Sequence, residues 1–209
     1  MTARAAGSAI DVNVVDAERL RRVFLALGAS DARADSLTDA VLDWRDGDDS
    51  PRPNGAESDW YRTQHELLPR NGPIANVAEL RRIRGLGDVE GFDTIFSVEP
   101  GRIPLGRAPL AALASLPGFG DEAIARLEEL RTRGESPSDL LAFTASLSGD
   151  ARGVLLARYP ELVALVTTMP DAWIVTSRAT DGAHHVGATI EVRLVRAGTR
   201  AAVVRRRTW

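Results

Sequence analysis

The sequence predicts an α+β protein, in which a mostly helical domain is followed by a small antiparallel β-meander. Two observations support this fold class. From residue 16 to about residue 166, apolar residues recur at helical spacing between turns that contain Gly or Pro. Beyond that point the pattern changes to strand-like alternation, as in Ile190, Val192 and Leu194.

Three segments follow from this change of pattern. Residues 1–9 are small and polar and predict a disordered leader, residues 10–166 form the helical domain, and residues 167–209 form the β-rich segment. The β-rich segment predicts three strands, with a tight hairpin at Ala197-Gly198 between the last two. A sheet this small needs a cover over its apolar face, which the helical domain or other sequence must supply.

The ends of the first two helices can be read from single residues. Asp16 has the residue type of an N-cap, and Gly28 ends the first helix. Asp31 is expected to cap the second helix, which stops near Asp46-Gly47 because Pro51 and Pro53 exclude its continuation. The further helical segments are expected near residues 58–67, 75–85, 107–116, 121–133, 140–147 and 150–159.

The composition narrows the possible functions. The net charge of −3 gives no general attraction to nucleic acid. No apolar run approaches the ~20 residues of a membrane span, and the start lacks the apolar core of a signal peptide. With no Cys and three His, thiol catalysis and cysteine zinc sites are excluded, and a metal site would be built mainly from oxygen, which favours hard cations such as calcium.

An acidic loop is the most specific stretch of the chain. Between Asp43 and Asp59 it carries six carboxylates in 17 residues, with two Trp and a Tyr around them. Closely spaced carboxylates repel one another, and a bound cation relieves that repulsion. The spacing is not that of an EF-hand. An exposed acidic loop, in which Asp favours turns, is the alternative, and a hydrolase with paired carboxylates is a third.

A second motif lies at residues 116–124, Leu-Pro-Gly-Phe-Gly-Asp-Glu-Ala-Ile, which resembles a helix-hairpin-helix. In that motif the turn exposes backbone N–H groups to a phosphate, and DNA binding is the function that it implies. The alternative is a tight turn between packed helices. Asp121 and Glu122 stand where a phosphate would approach, and this favours the alternative. His65 and the pair His184-His185 are weaker candidates, and the pair is expected in a solvated turn.

Several of these residues resemble the signature of a known family, the minor pseudopilin K of type II secretion (general secretion pathway protein K). The stretches that carry the resemblance are Asp43 to Asp49, Arg52 to Glu57 with Tyr61, Arg70 to Pro73, and Val77 to Gly85. The resemblance is strong over residues 36–86 and looser over the rest of residues 10–209.

The resemblance implies a pilin-like α+β body with an inserted helical domain that contains helix-hairpin-helix-like units. It implies a non-enzymatic protein at the tip of a pseudopilus, on the periplasmic face of the inner membrane. The expected partners are other minor pseudopilins and a secreted substrate protein. It also implies calcium in the acidic region, held by Asp46, Asp48, Asp49 and Glu57, with Asp43 and Asp59 as further candidates. Family members begin with a leader and a long apolar helix; this sequence shows neither, so the chain itself is expected to be soluble.

Overall fold

The structure is a computed structural model that describes residues 1–5, 9–170, 172–180 and 186–208. Its helices are α1 (Ala17–Ala26), α2 (Asp31–Arg45), α3 (Ser58–Thr63), a 3-10 helix (Val77–Arg82), α4 (Phe92–Ile95), α5 (Leu110–Ala114), α6 (Asp121–Thr132), α7 (Leu140–Ala145), α8 (Gly149–Ala157) and α9 (Tyr159–Leu165). Its strands are β1 (Thr2–Ala5), β2 (Ile10–Asp11), β3 (Phe96–Ser97), β4 (Ile103–Pro104), β5 (Val166–Thr167), β6 (Ala172–Thr180), β7 (Val186–Ala197) and β8 (Arg200–Thr208). Helices plus an antiparallel sheet confirm the α+β class.

The antiparallel sheet has four strands in the order β1-β6-β7-β8, not the three predicted. The added strand is β1, which pairs with β6 so that Thr2 lies opposite Thr176 and Ala5 opposite Trp173. The prediction of a disordered leader is therefore wrong for Thr2–Ala5. These small residues carry no strand signal of their own, and they become ordered because β6 supplies the backbone hydrogen bonds. The helical body is consequently an insertion between β1 and β6.

The hairpin between β7 and β8 is confirmed. The chain turns at Gly198, whose φ of 65° lies in the left-handed region that favours glycine. The two strands then pair in antiparallel register from Ala197 and Arg200 onward. A register shift between Arg193 and Leu194 marks a bulge in the edge strand.

The helical body begins as the sequence predicts. The Asp16 carboxylate accepts a hydrogen bond from the Arg19 N–H at 2.9 Å and caps α1, and Gly28 follows the helix with φ 84°. The predicted cap of α2 is wrong by one residue: Ser30, not Asp31, caps the helix, because its hydroxyl accepts from the Arg33 N–H. The structure differs from the prediction further along, where residues 77–82 form a 3-10 helix and a break at Arg158 separates α8 from α9.

The helical body also contains two short pairs of parallel strands. β2 pairs with β3, so that Ile10 lies opposite Phe96, and β4 pairs with β5, so that Ile103 lies opposite Val166. These residues belong to one buried apolar core that runs through the helices. The predicted boundary between residues 166 and 167 falls inside β5, and the division into domains stays a prediction.

The two faces of the sheet differ in chemistry. The inward face meets the body through the buried carboxylate of Glu99, which pairs with Arg193 and Arg205. A small apolar cluster on the same face is formed by Ala172 and Ile174 against Val195. The sequence predicted that the apolar alternation of β7 would need a cover, but the strand register places that alternation on the opposite, outward face. The outward side chains are Trp173, Val175, Ile190, Val192, Leu194 and Val203.

Candidate metal centre

Three carboxylates converge where α2 ends and α3 begins. Asp43 lies in the last turns of α2, Asp46 is its C-cap, and Glu57 is the N-cap residue of α3. One oxygen from each of the three lies within 4.8 Å of the others. Asp43 and Glu57 are buried, with 0% and 3% of their surface exposed, and Asp46 is partly buried. The loop between α2 and α3 therefore concentrates negative charge away from water.

Glu57 is the unusual member of this cluster. Both of its carboxylate oxygens are buried and have no hydrogen-bond partner among the described residues. Asp46 Oδ1 is also buried and has no hydrogen-bond partner among the described residues. Because a buried carboxylate without partners is costly, such oxygens are expected to meet a cation or a proton.

The charge around Glu57 also perturbs its titration. Burial, and then the charges of Asp43, Asp46, Asp49 and Asp48, raise the pKa of Glu57 to about 7. The direction follows from the physics, since low polarity and nearby negative charge both disfavour the ionised form.

Arg52 lies against the other two carboxylates. Its Nη1 donates to Asp43 Oδ1 at 2.6 Å and to Asp46 Oδ2 at 2.5 Å. Its backbone N–H donates to Asp43 Oδ2 at 3.2 Å. Gly55 closes the other side of Asp43, because a Cβ added there would lie 1.9 Å from Asp43 Oδ2. The loop is thus shaped around the buried Asp43 carboxylate.

The remaining predicted ligands have other contacts. Asp48 is exposed, and its Oδ1 accepts from the Ser50 N–H at 2.9 Å. Asp49 is exposed and its Oδ1 accepts from the Ser58 N–H at 3.2 Å, and hydrogen bonding to Ser58 lowers the pKa of Asp49. Neither belongs to the three-carboxylate cluster, and their role as ligands stays a prediction.

The structure thus brings together two of the four predicted ligands, Asp46 and Glu57. It adds Asp43, which the sequence offered only as a further candidate. The spacing of Asp43 and Asp46 by three residues places both on one side of α2, and this was the available signal. Asp59, the other further candidate, is exposed and pairs with Arg62.

Two buried aromatic side chains, Trp44 and Tyr61, form a scaffold beside the loop. Trp44 and Tyr61 are buried and meet edge to face, with ring centroids 5.2 Å apart. The Trp44 indole N–H donates to Glu79 Oε1 at 3.0 Å. The Tyr61 hydroxyl accepts from the Arg84 N–H at 3.0 Å. Helix α2 is therefore tied to the 3-10 helix, and α3 is tied to the turn that follows the 3-10 helix.

A second tie comes from residue 71. The Asn71 side-chain amide donates to the Asp48 carbonyl oxygen at 2.8 Å, while Asn71 Oδ1 is buried without a partner among the described residues. This amide oxygen adds one more neutral acceptor beside the acidic loop. Carboxylate, amide and carbonyl oxygens form the ligand class that calcium prefers, so the residues present fit a hard cation.

The turn that resembles a helix-hairpin-helix lies elsewhere, between α5 and α6. Gly118 has φ 76°, and a Cβ placed on it would lie 3.2 Å from Val154 Cγ1 and 3.7 Å from Arg158 Cγ. The turn therefore packs against α8. Glu122 accepts hydrogen bonds from the N–H and hydroxyl of Ser148. These contacts favour a packed turn between helices. The pair His184-His185 lies outside the described residues.

Comparison with known proteins relates the first part of the chain to one family. Residues 4–89 match the profile described as type II secretion system (T2SS), protein K. This segment is therefore similar to protein K of type II secretion systems. Over 70 residues the chain is 39% identical to type II secretion system protein K of Dickeya chrysanthemi, which is 34% of this chain and 19% of that protein. Over 71 residues it is 39% identical to the protein K of Klebsiella pneumoniae, which is 34% of this chain and 22% of that protein.

The fold has a counterpart over its full length. All of this chain superposes on 78% of a chain from the crystal structure of the GspK–GspI–GspJ complex of the type II secretion system of enterotoxigenic Escherichia coli. The TM-score is 0.66 and the sequence identity is 15%. Beyond residue 89 the chain therefore shares the fold of a chain in that complex. The resemblance to protein K drawn from the sequence is confirmed. Aligned sequence covers about a fifth of each curated relative.

Proposed function

We propose that this chain is a non-enzymatic structural component of a type II secretion pseudopilus, at its tip, beside other minor pseudopilins. The match of residues 4–89 to the protein K family carries this proposal. The likeness of the whole fold to a chain from a complex of three pseudopilus components supports it. Among the described residues, no helix is both long and apolar enough to cross a bilayer.

The outward face of the sheet supports a role in assembly. Strands β6, β7 and β8 present apolar side chains on this face, of which Trp173 and Leu194 are half-buried and Val203 is 63% exposed. Exposed apolar side chains grouped on one face are typical of a surface that another protein covers. In the proposed setting, on the periplasmic face of the inner membrane, the contacts would be to other minor pseudopilins and to a secreted substrate protein.

Calcium is the second part of the proposal. Asp43, Asp46 and Glu57 would hold the ion, and the neutral oxygen of Asn71 lies beside the same loop. When bound, calcium supplies positive charge that joins the end of α2 to the start of α3. A cation that binds only the folded chain stabilises it by mass action. Its role would be to order the loop and the scaffold of Trp44 and Tyr61 beneath it.

The assembly is tested by mixing the purified chain with the soluble domains of the other two minor pseudopilins from the same secretion system. Size-exclusion chromatography with light scattering should give a complex that contains one copy of each. Three separate monomer peaks at every concentration tried would contradict the assembly role. DNA binding, the other function raised by the sequence, gains no support from the packed turn at Gly118.

A further inference from the structure

Arg52 is the feature of the metal centre that the proposed calcium site leaves unexplained. A cation site is expected to offer its oxygens to the metal, yet the Arg52 guanidinium donates to Asp43 at 2.6 Å and to Asp46 at 2.5 Å. A single nitrogen, Nη1, bridges the two carboxylates. The positive charge of Arg52 therefore lies where the two aspartates converge.

Arg52 is more exposed to solvent than the two aspartates that it contacts. Asp43 has no exposed surface and Asp46 has 27%, whereas Arg52 has 36%. The aspartates are fixed at the end of α2, but the long side chain of Arg52 reaches them from a loop between Pro51 and Pro53. The Arg52 side chain is therefore in contact with solvent, whereas the Asp43 carboxylate is not.

We propose that Arg52 sets the affinity of the site, because its guanidinium and a divalent cation compete for the carboxylate oxygens of Asp43 and Asp46. This inference rests on the calcium site proposed above. Two positive groups that share the same acceptors at short range repel one another, so binding of the cation requires the Arg52 side chain to leave. Arg52 therefore lowers the affinity of the site for a cation below the affinity that the three carboxylates alone would have.

The competition has a structural consequence. While the guanidinium bridges Asp43 and Asp46, it offsets part of the repulsion within the cluster, so the loop stays folded at low cation concentration. Glu57 has no such partner among the described residues and remains available to the ion. The loop is then stabilised by the Arg52 guanidinium when calcium is scarce and by calcium when it is abundant.

The test compares Arg52→Gln with Arg62→Gln in the full chain. Arg62 lies in α3, just after the acidic loop, and pairs with the exposed Asp59, so its replacement removes an equal charge without touching the cluster. Calcium chloride is titrated by calorimetry into chelator-treated protein. Arg52→Gln should bind calcium about tenfold or more tightly than wild type, the scale of one lost charge-assisted hydrogen-bond pair, and Arg62→Gln should match wild type.

Each result decides between the two proposals. If wild type and Arg62→Gln bind calcium and Arg52→Gln binds equally or more weakly, Arg52 does not compete and this inference is wrong, although the calcium site stands. If none of the three binds, the calcium site itself is wrong. Circular dichroism establishes that the variants are folded. Arg52→Lys, which keeps the charge but loses the planar guanidinium, should give an intermediate affinity and covers the case in which Arg52→Gln fails to fold.

Discussion

Replacing Gly55 by alanine perturbs the three-carboxylate cluster without removing any of its charges. The new Cβ would lie 1.9 Å from Asp43 Oδ2, 2.7 Å from its Cγ and 3.2 Å from the Asp39 carbonyl oxygen. The Asp43 side chain is fully buried and held by two groups of Arg52, so it cannot move aside without losing those bonds. Overpacking costs about 1–3 kcal/mol, and a disrupted hydrogen bond to a charged group costs about 1.5–3 kcal/mol.

The expected loss for Gly55→Ala is therefore about 3 kcal/mol in the free energy of unfolding. For a domain of this size, that corresponds to a melting temperature lower by roughly 6–12 °C, measured by scanning calorimetry. Gly47→Ala is the matched control in the same loop, because a Cβ there meets nothing within 4 Å. Its effect should stay within about 0.5 kcal/mol. Equal melting temperatures for the two variants would refute the close approach of Gly55 to Asp43.

Three further predictions concern individual side chains. With chelator present, the free energy of unfolding should fall as pH rises from about 5 to 7 and then level off, because the pKa of Glu57 is raised from 4.5 to about 7 and the folded chain keeps a proton that the unfolded chain releases. Glu57→Gln should remove this pH dependence, measured by chemical unfolding across that window. The same pH dependence in wild type and variant would rule this out. Tyr61→Phe leaves the Arg84 N–H without its buried acceptor and should cost about 1–2 kcal/mol in urea unfolding, whereas no loss would mean that the bond is not made. Glu99→Gln should weaken the ion pairs to Arg193 and Arg205, so amide hydrogen exchange should accelerate in β6–β8 and not in α1 or α2. An equal acceleration in the sheet and in these helices would show that Glu99 does not hold the sheet to the body.

The sequence was informative wherever the signal was local. The cap at Asp16, the stop at Gly28 and the turn at Gly198 each depend on one residue and its immediate neighbours, and the structure places all three as predicted. The change from helical to strand-like pattern gave the α+β class for the same reason. Strand β1 was missed because its four residues become a strand only through pairing with residues 173–176, which lie far along the chain.

The three-carboxylate cluster was predictable in part. The crowding of acidic residues located it, and it contains Asp46 and Glu57, two of the ligands that the resemblance implies. Sequence spacing could not show that Asp43 turns inward at the end of α2 while Asp48 turns outward, because burial depends on how the loop folds back over the helix. The position of Arg52 between two carboxylates is likewise a product of that fold.

The measurement that tests the calcium site most directly is the melting temperature of the chain in calcium and in chelator, for wild type and Glu57→Gln. At a calcium concentration about 100-fold above the dissociation constant, binding adds about 2.7 kcal/mol, which should raise the wild-type melting temperature by roughly 5–10 °C. Glu57→Gln keeps the side-chain shape but removes the buried charge, so its rise should be largely lost. Identical wild-type melting curves in calcium and in chelator would contradict the site.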